Sequence, residues 1–202
     1  MDYVNENSAK PASVYSLGKA NGFDEQEFYE HFGSMDALES QIFVEFFNNT
    51  MELLHKSKDY ADYDARHKLL SFYFTYFELL TANRSYVCYA LMQYKNQLKN
   101  LKVLKAFKTS FGDFINSLDL SLIQLEQDRI QQIQKKGLEE SAWIQFLLTL
   151  RFWIDDSSAR FEKTDIFIEK SVNTTFDVMD AAPLKSLLDL GKFIYKEKIK
   201  MP

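Results

Sequence analysis

The chain has 202 residues, 46% of them hydrophobic and 26% charged, with six glycines, three prolines and a formal charge of −5. That composition supports a sizeable core, excludes global disorder, and favours long helices over turn-rich sheets. One cysteine, Cys88, excludes an intramolecular disulfide and fits a reducing cytoplasm, and the sequence pI of 5.3 lends no bulk support to nucleic-acid binding. No charged-then-apolar leader opens the chain and no apolar run reaches membrane-spanning length, so a cytoplasmic protein without a membrane span is expected.

Residues 1–12 are polar and leave room for one or two helical turns before Lys10-Pro11, so a first helix here is short or begins upstream. Ser13 to Leu38 (SVYSLGKANGFDEQEFYEHFGSMDAL) reads as two short helices, a tight turn between them, and the start of a third. Val14 and Leu17 share a face, Gly18 permits close packing, and Gly22 suits the left-handed conformation that ends a helix. Asp24 starts the next helix, with Glu27 three residues on as an acidic capping-box variant. Phe28, Phe32 and Tyr29 are its expected anchors, and Gly33 its expected stop. Ser34 caps a third helix with Asp36 in its first turn. Two helices around a glycine turn make a helix-turn-helix, a unit that can lay its second helix in the major groove.

From Ser34 to Lys56 the apolar spacing (Leu38, Ile42, Phe43, Phe46, Met51, Leu53, Leu54) predicts one long helix. A loop is expected over 57–64, an aromatic helix over 65–81, and a helix from Arg84 to Tyr94 capped by Asn83. Leu98, Leu101, Leu104 and Phe107 form a stripe opposite lysines, and the helix continues through Phe111, Phe114 and Ile115 to a break near 118–121. Residues 122–135 are amphipathic (Leu122, Leu125, Ile130, Ile133), with Gly137 as the stop. Residues 139–154 are apolar on more than one face, which predicts burial on several sides. A polar loop follows; then come a helix from Thr164 to about Ala181 and a last one starting at Pro183.

Phe72, Tyr73, Tyr76, Phe77, Tyr86, Tyr89 and Met92, with Phe111 on a later helix, are candidates to line an apolar pocket with hydroxyls at set points. Plain core packing competes with that reading. Glu52-x-x-His55 and Asp64-x-x-His67 each place a carboxylate and an imidazole one turn apart, but flank a loop at solvent-facing positions, so no metal is expected. Asp155, Asp156, Glu162, Asp165 and Glu169 are better explained by capping and solvation than by acid–base chemistry. Cys88 is expected to be buried near the tyrosines. No nucleophile elbow, phosphate-cradling glycine loop or zinc spacing occurs, so no catalytic residue, enzyme activity or cofactor is expected. Trp143, Phe146, Leu150, Trp153, Phe167 and Phe176 are candidates for a homodimer interface built as a four-helix bundle.

The order of Ala12, Ser13, Val14, Leu17, Gly22, Tyr29, His31, Phe32, Ser34 and Leu38 resembles, without a gap, the DNA-binding end of the TetR family. Residues 152–172 (FWIDDSSARFEKTDIFIEKSV) are similar to the C-terminal regulatory domain of a TetR-like subgroup. The resemblance implies an all-α fold, with a three-helix helix-turn-helix domain over 1–48 and a ligand-binding and dimerisation domain over 49–202. It also implies a ligand-responsive transcriptional regulator that binds operator DNA as a homodimer, with an apolar small molecule among the middle helices. DNA contacts would fall on Ser13, Gln26, Glu27, Tyr29 and His31. The departures are acidic: Asp24, Glu25, Gln26 and Glu27 replace a small, often basic turn, and Met35 stands where a phosphate-meeting lysine is usual. Residues 1–48 hold nine acids against two bases, a formal −7, while residues 49–202 are +2. Phosphate neutralisation supplies the sequence-independent part of DNA affinity, so these acids oppose docking. The alternative is a TetR-fold protein without operator binding that carries an apolar small molecule or lipid, or docks a protein partner.

Overall fold

Capping explains why the short amino-terminal helices form. The computed structural model describes residues 1–93, 100–118, 120, 128–180 and 190, and among these the protein is all-α, without strands. α1 (Asp2–Asn7) ends at Ser8 in the left-handed region, φ 50°. α2 (Val14–Asn21) opens with a reciprocal capping box: Ser16 N–H donates to Ser13 Oγ, and Ser13 N–H to Ser16 Oγ, both at 3.1 Å. It closes at Gly22, φ 80°, whose N–H donates to the Gly18 carbonyl at 2.8 Å. A Cβ on Gly18 would collide with the Phe23 carbonyl, so this glycine lets the turn fold back on α2.

α3 (Glu25–His31) starts where Asp24 Oδ1 accepts from Glu27 N–H at 2.8 Å. The reciprocal box thus sits on α2, while α3 takes a simple acidic cap. Phe28 is buried as an anchor, but Tyr29 is 56% exposed. Phe32, in extended conformation, ends the helix before Gly33. α4 (Met35–Lys56) is capped by Ser34 Oγ, which accepts from Ala37 N–H at 3.1 Å. It buries Phe43, Phe46, Thr50 and Leu54 and leaves Leu53 exposed.

The expected loop after α4 contains a 3₁₀ turn, Lys58–Asp62, that buries Tyr60. α5 (Ala65–Ala82) begins with Asp64 Oδ1 accepting from His67 N–H at 2.8 Å. Leu69, Phe72, Tyr73, Tyr76, Phe77 and Leu80 are buried and Phe74 is exposed. The buried residues share one helical face. α6 (Arg84–Met92) has Asn83 at its N-cap, but the Asn83 amide donates backwards to the Leu79 carbonyl at 2.9 Å. A 3₁₀ turn, Leu101–Leu104, leads into α7 (Lys105–Ser117).

α8 (Asp128–Asp155) runs 28 residues straight through Gly137. A glycine inside a helix costs about 1 kcal/mol, too little to stop one that buries tryptophan and phenylalanine further along. Its apolar residues do not all bury: Trp143, Phe146, Leu150 and Trp153 do, while Ile144, Leu148 and Phe152 are exposed. α9 (Glu162–Asp180) packs on α8 and buries Thr164, Ile168 and Val172. The expectations placed on Tyr94, Leu98, Leu122, Leu125 and the helix from Pro183 lie outside the described residues.

Two compact units emerge. The first comprises Met1–Ala61 and Phe74–Phe114, and the second Asp62–Tyr73 and the chain from Ile115 onward. In the first, α2 packs on α3, α1 on α6, and α4 and α6 on the 101–104 turn. In the second, α8 pairs with α9.

Candidate DNA-binding and ligand sites

The helix-turn-helix presents its expected contact residues outward. Gln26, Glu27, Tyr29 and His31 are exposed along α3, and Ser13 is exposed at the start of α2, where its hydroxyl already caps that helix. Glu25 and Glu30 are exposed on the same short helix. Of the two bases in residues 1–48, Lys10 is committed to Glu39 at 2.6 Å. That pair removes one base and one acid together, leaving Lys19 against eight acids, so the formal −7 of the segment is unchanged.

The aromatic candidates divide between the two units. Phe72 and Tyr73 belong to the second, where Tyr73 tilts against Phe146 with ring centroids 6.3 Å apart. Tyr76, Phe77, Tyr86, Tyr89, Met92 and Phe111 belong to the first. There Tyr76 stacks on Phe107 at 4.9 Å and Phe107 on Phe111 at 5.7 Å, with Phe47 edge-on to Phe107 at 6.2 Å. These spacings are those of favourable ring pairs in a packed core. Tyr89 is half-buried and Met92 is 61% exposed, so Met92 stands apart from the cluster. Burial pushes the phenols of Tyr73, Tyr76 and Tyr86 well above their ordinary value; the Glu39 and Tyr89 charges add to this at Tyr86. Cys88 is half-buried, and burial raises its thiol.

The first unit does open a cleft, and none of those aromatic residues lines it. Its volume is about 270 Å³, and its walls are Lys10, Asp36, Glu39, Ser40, Ala90, Gln93, Asn100, Lys102 and Val103. The start of α4, the end of α6 and the 101–104 turn supply these walls, with Lys10 reaching in from ahead of α2. Periodicity along any one segment could not reveal it, because the lining comes from four separate stretches.

In the second unit the dimer candidates Trp143, Phe146, Leu150 and Trp153 are buried within the chain itself, and Trp143 stacks on Phe146 at 5.4 Å. Phe167 and Phe176 are half-buried; Phe167 stacks on Phe152 at 4.6 Å, and the Arg66 guanidinium lies over Phe176 at 5.3 Å. The apolar surface of α8 falls instead on Ile144, Leu148 and Phe152, one turn apart each.

Asp156 ties α8 to α9. Its Oδ1 accepts from Ser158 N–H at 2.8 Å and Ser158 Oγ at 2.7 Å; its Oδ2 accepts from Thr164 N–H at 3.0 Å and Thr164 Oγ1 at 2.7 Å. Burial raises this carboxyl, yet the four donors outweigh burial and hold it at about 2. The carboxylate–imidazole pairs are used locally. Glu52 bridges Lys56 at 2.7 Å, and Asp64 holds His67 Nδ1 at 2.9 Å. Among the described residues no cluster of three or more such groups could hold a metal ion, and no helix is long and apolar enough to cross a membrane.

Comparison with curated proteins finds no match, and comparison with solved structures finds none. A family model does match: the tetracyclin repressor-like C-terminal domain, over residues 68–194, which is more than half of the chain. With the all-α architecture and the capped helix-turn-helix ahead of that region, the chain belongs to the TetR family.

Proposed function

We propose that the protein is a ligand-responsive transcriptional regulator that binds operator DNA as a homodimer in the cytoplasm. Residues 1–48 would be the DNA-facing domain, and residues 49–202 the ligand-binding and dimerisation domain. The observation that carries this is the helix-turn-helix itself. Both helices have satisfied N-caps, Gly22 makes the turn, and Gln26, Glu27, Tyr29 and His31 are exposed on the second helix. Glutamine can pair with adenine and glutamate can accept from cytosine in the major groove. An apolar ligand inserting among the aromatics of the first unit (Tyr76, Phe77, Tyr86 and Phe111) would shift α4 and change the spacing of two recognition helices.

Dimerisation would use α8 and α9, with Ile144, Leu148 and Phe152 as the apolar stripe and Phe167 and Phe176 beside it. Light scattering at micromolar concentration would then give twice the chain mass, and Leu148→Glu would give a monomer.

The second reading, a TetR-fold protein without operator binding, is favoured by one observation: Glu25, Glu27 and Glu30 are all exposed on α3 while Lys10 is taken up by Glu39. It would bind an apolar ligand or a protein partner. Binding of mixed genomic DNA fragments across a salt series separates the two. Affinity that rises steeply as salt falls, with particular fragments enriched, supports the regulator. No binding at low salt by a folded dimer supports the second reading.

A further inference from the structure

The cleft at the start of α4 combines three features. Its charges balance, with Lys10 and Lys102 against Asp36 and Glu39. Lys10 and Glu39 neutralise each other at 2.6 Å, and their side chains are only 27% and 13% exposed. Asp36 and Lys102 are exposed, and among the described residues neither forms an ion pair, so the lining holds one carboxylate and one ammonium with no charged partner there.

The second feature is an unpaired amide. Gln93 Nε2 is buried and meets no acceptor, although Gln93 lines the cleft. A buried donor left unmade costs about 1–3 kcal/mol; the amide is out of a water's reach as it stands, so turning it into the cleft to meet a ligand acceptor would recover that cost. The Tyr86 hydroxyl, on the α6 helix that ends just before Gln93, is likewise buried without a partner among the described residues, in a residue 2% exposed, and it feels the charge of Glu39 in the cleft wall. Asn100 and Ser40 add further amide and hydroxyl groups to the lining.

The third feature is size. At about 270 Å³ the cleft lies just below the roughly 300–1,000 Å³ of drug-sized ligand pockets, which suits a ligand of amino-acid size rather than a nucleotide or an acyl chain. An apolar ligand would leave the charged rim and the Gln93 amide unpaired. A simple anion would answer Lys102 and Gln93 but face Asp36 and Glu39.

We propose that this cleft binds a small zwitterion of amino-acid size, its carboxylate received by Lys102 and the Gln93 amide and its ammonium by Asp36. The site is separate from the aromatic core assigned above to an apolar ligand, and it does not rest on operator binding. Because α4 carries three of the lining residues directly after the helix-turn-helix, occupancy bears on the helix that links this segment to the rest of the chain.

The test is thermal unfolding and calorimetric titration of the full-length protein with the free L-amino acids, and with acetate, inorganic phosphate and methylamine as single-charge controls. At least one amino acid should raise Tm saturably while the controls do not. Lys102→Ala and Asp36→Asn should each weaken that binding about tenfold, the loss of one charge-assisted hydrogen bond. Gln93→Leu should abolish it and leave the unliganded Tm unchanged or higher. Gln93→Glu, which keeps the shape but repels a carboxylate, serves if the leucine variant misfolds. Saturation by no zwitterion, equal binding of the controls, or undiminished binding by folded Gln93 variants would overturn the assignment.

Discussion

Two helix junctions solve the same steric problem with opposite means. Between α2 and α3 the chain turns through Gly22 at φ 80°, and caps from Ser13 and Asp24 are exposed and local. Between α8 and α9 it turns through Arg160 and Phe161, both non-glycine residues at φ 54° and 60°. Such residues cost roughly 1–2 kcal/mol each in the left-handed region. Here Asp156 holds the turn, spending both carboxylate oxygens on Ser158 and Thr164, and Trp153 rests against Phe161 at 6.2 Å. The first junction is written in the sequence next to the turn. The second depends on a buried group eight residues away from its farther partner, and therefore on tertiary packing.

The contrast makes ordered predictions. Asp156→Ala should have the largest effect, about 3 kcal/mol or more of stability in denaturant unfolding, because four donors lose their acceptor and two strained residues lose their brace. Gly18→Ala should follow at about 2 kcal/mol, since its Cβ meets the backbone carbonyl of Phe23, which cannot yield like a side chain. Gly22→Ala should cost about 1 kcal/mol, because the space is open and only the positive φ opposes it. Arg160→Gly should go the other way and gain less than about 1 kcal/mol, relief of strain being offset by a freer unfolded chain. If Gly22→Ala proves costlier than Asp156→Ala, the contrast between the junctions fails.

Acid sharpens the same comparison. The Asp156 carboxyl is held at about 2 in the fold, below its unfolded value near 3.9. Its contribution is therefore complete above the unfolded value and is lost as pH falls from about 4 through 2. Denaturation curves at several pH values should show a steeper acid loss for the native protein than for Asp156→Asn.

What the sequence made legible was local. Ser34, Asp24, Gly22 and the stripe on α4 could each be placed because the group and its partner lie within one or two turns. Gly137 misleads because a helix is ended by conformation and packing together, and a lone glycine without the left-handed turn supplies neither. Tyr29 and Trp143 show the limit of composition. Aromatic residues near a helix face read alike from sequence, yet one is exposed on α3 and the other stacks on Phe146 within the α8–α9 pair. The acids of residues 1–48 were countable, but the pairing of Lys10 with Glu39 needed the fold. The polar cleft was invisible for the same reason, being assembled from residues up to 93 positions apart in sequence.

Cys88 gives the molecule a built-in clock. It is the only thiol in the chain and sits half-shielded on α6, the helix whose end supplies Gln93 to the cleft. Only a thiolate attacks an alkylating reagent, and burial has raised this thiol. The rate at which a neutral maleimide consumes it therefore reports how far α6 and its neighbours shield the thiol. A single fluorophore there turns the breathing of that helix into a trace that can be followed in real time, with no other sulfur nucleophile to confuse it.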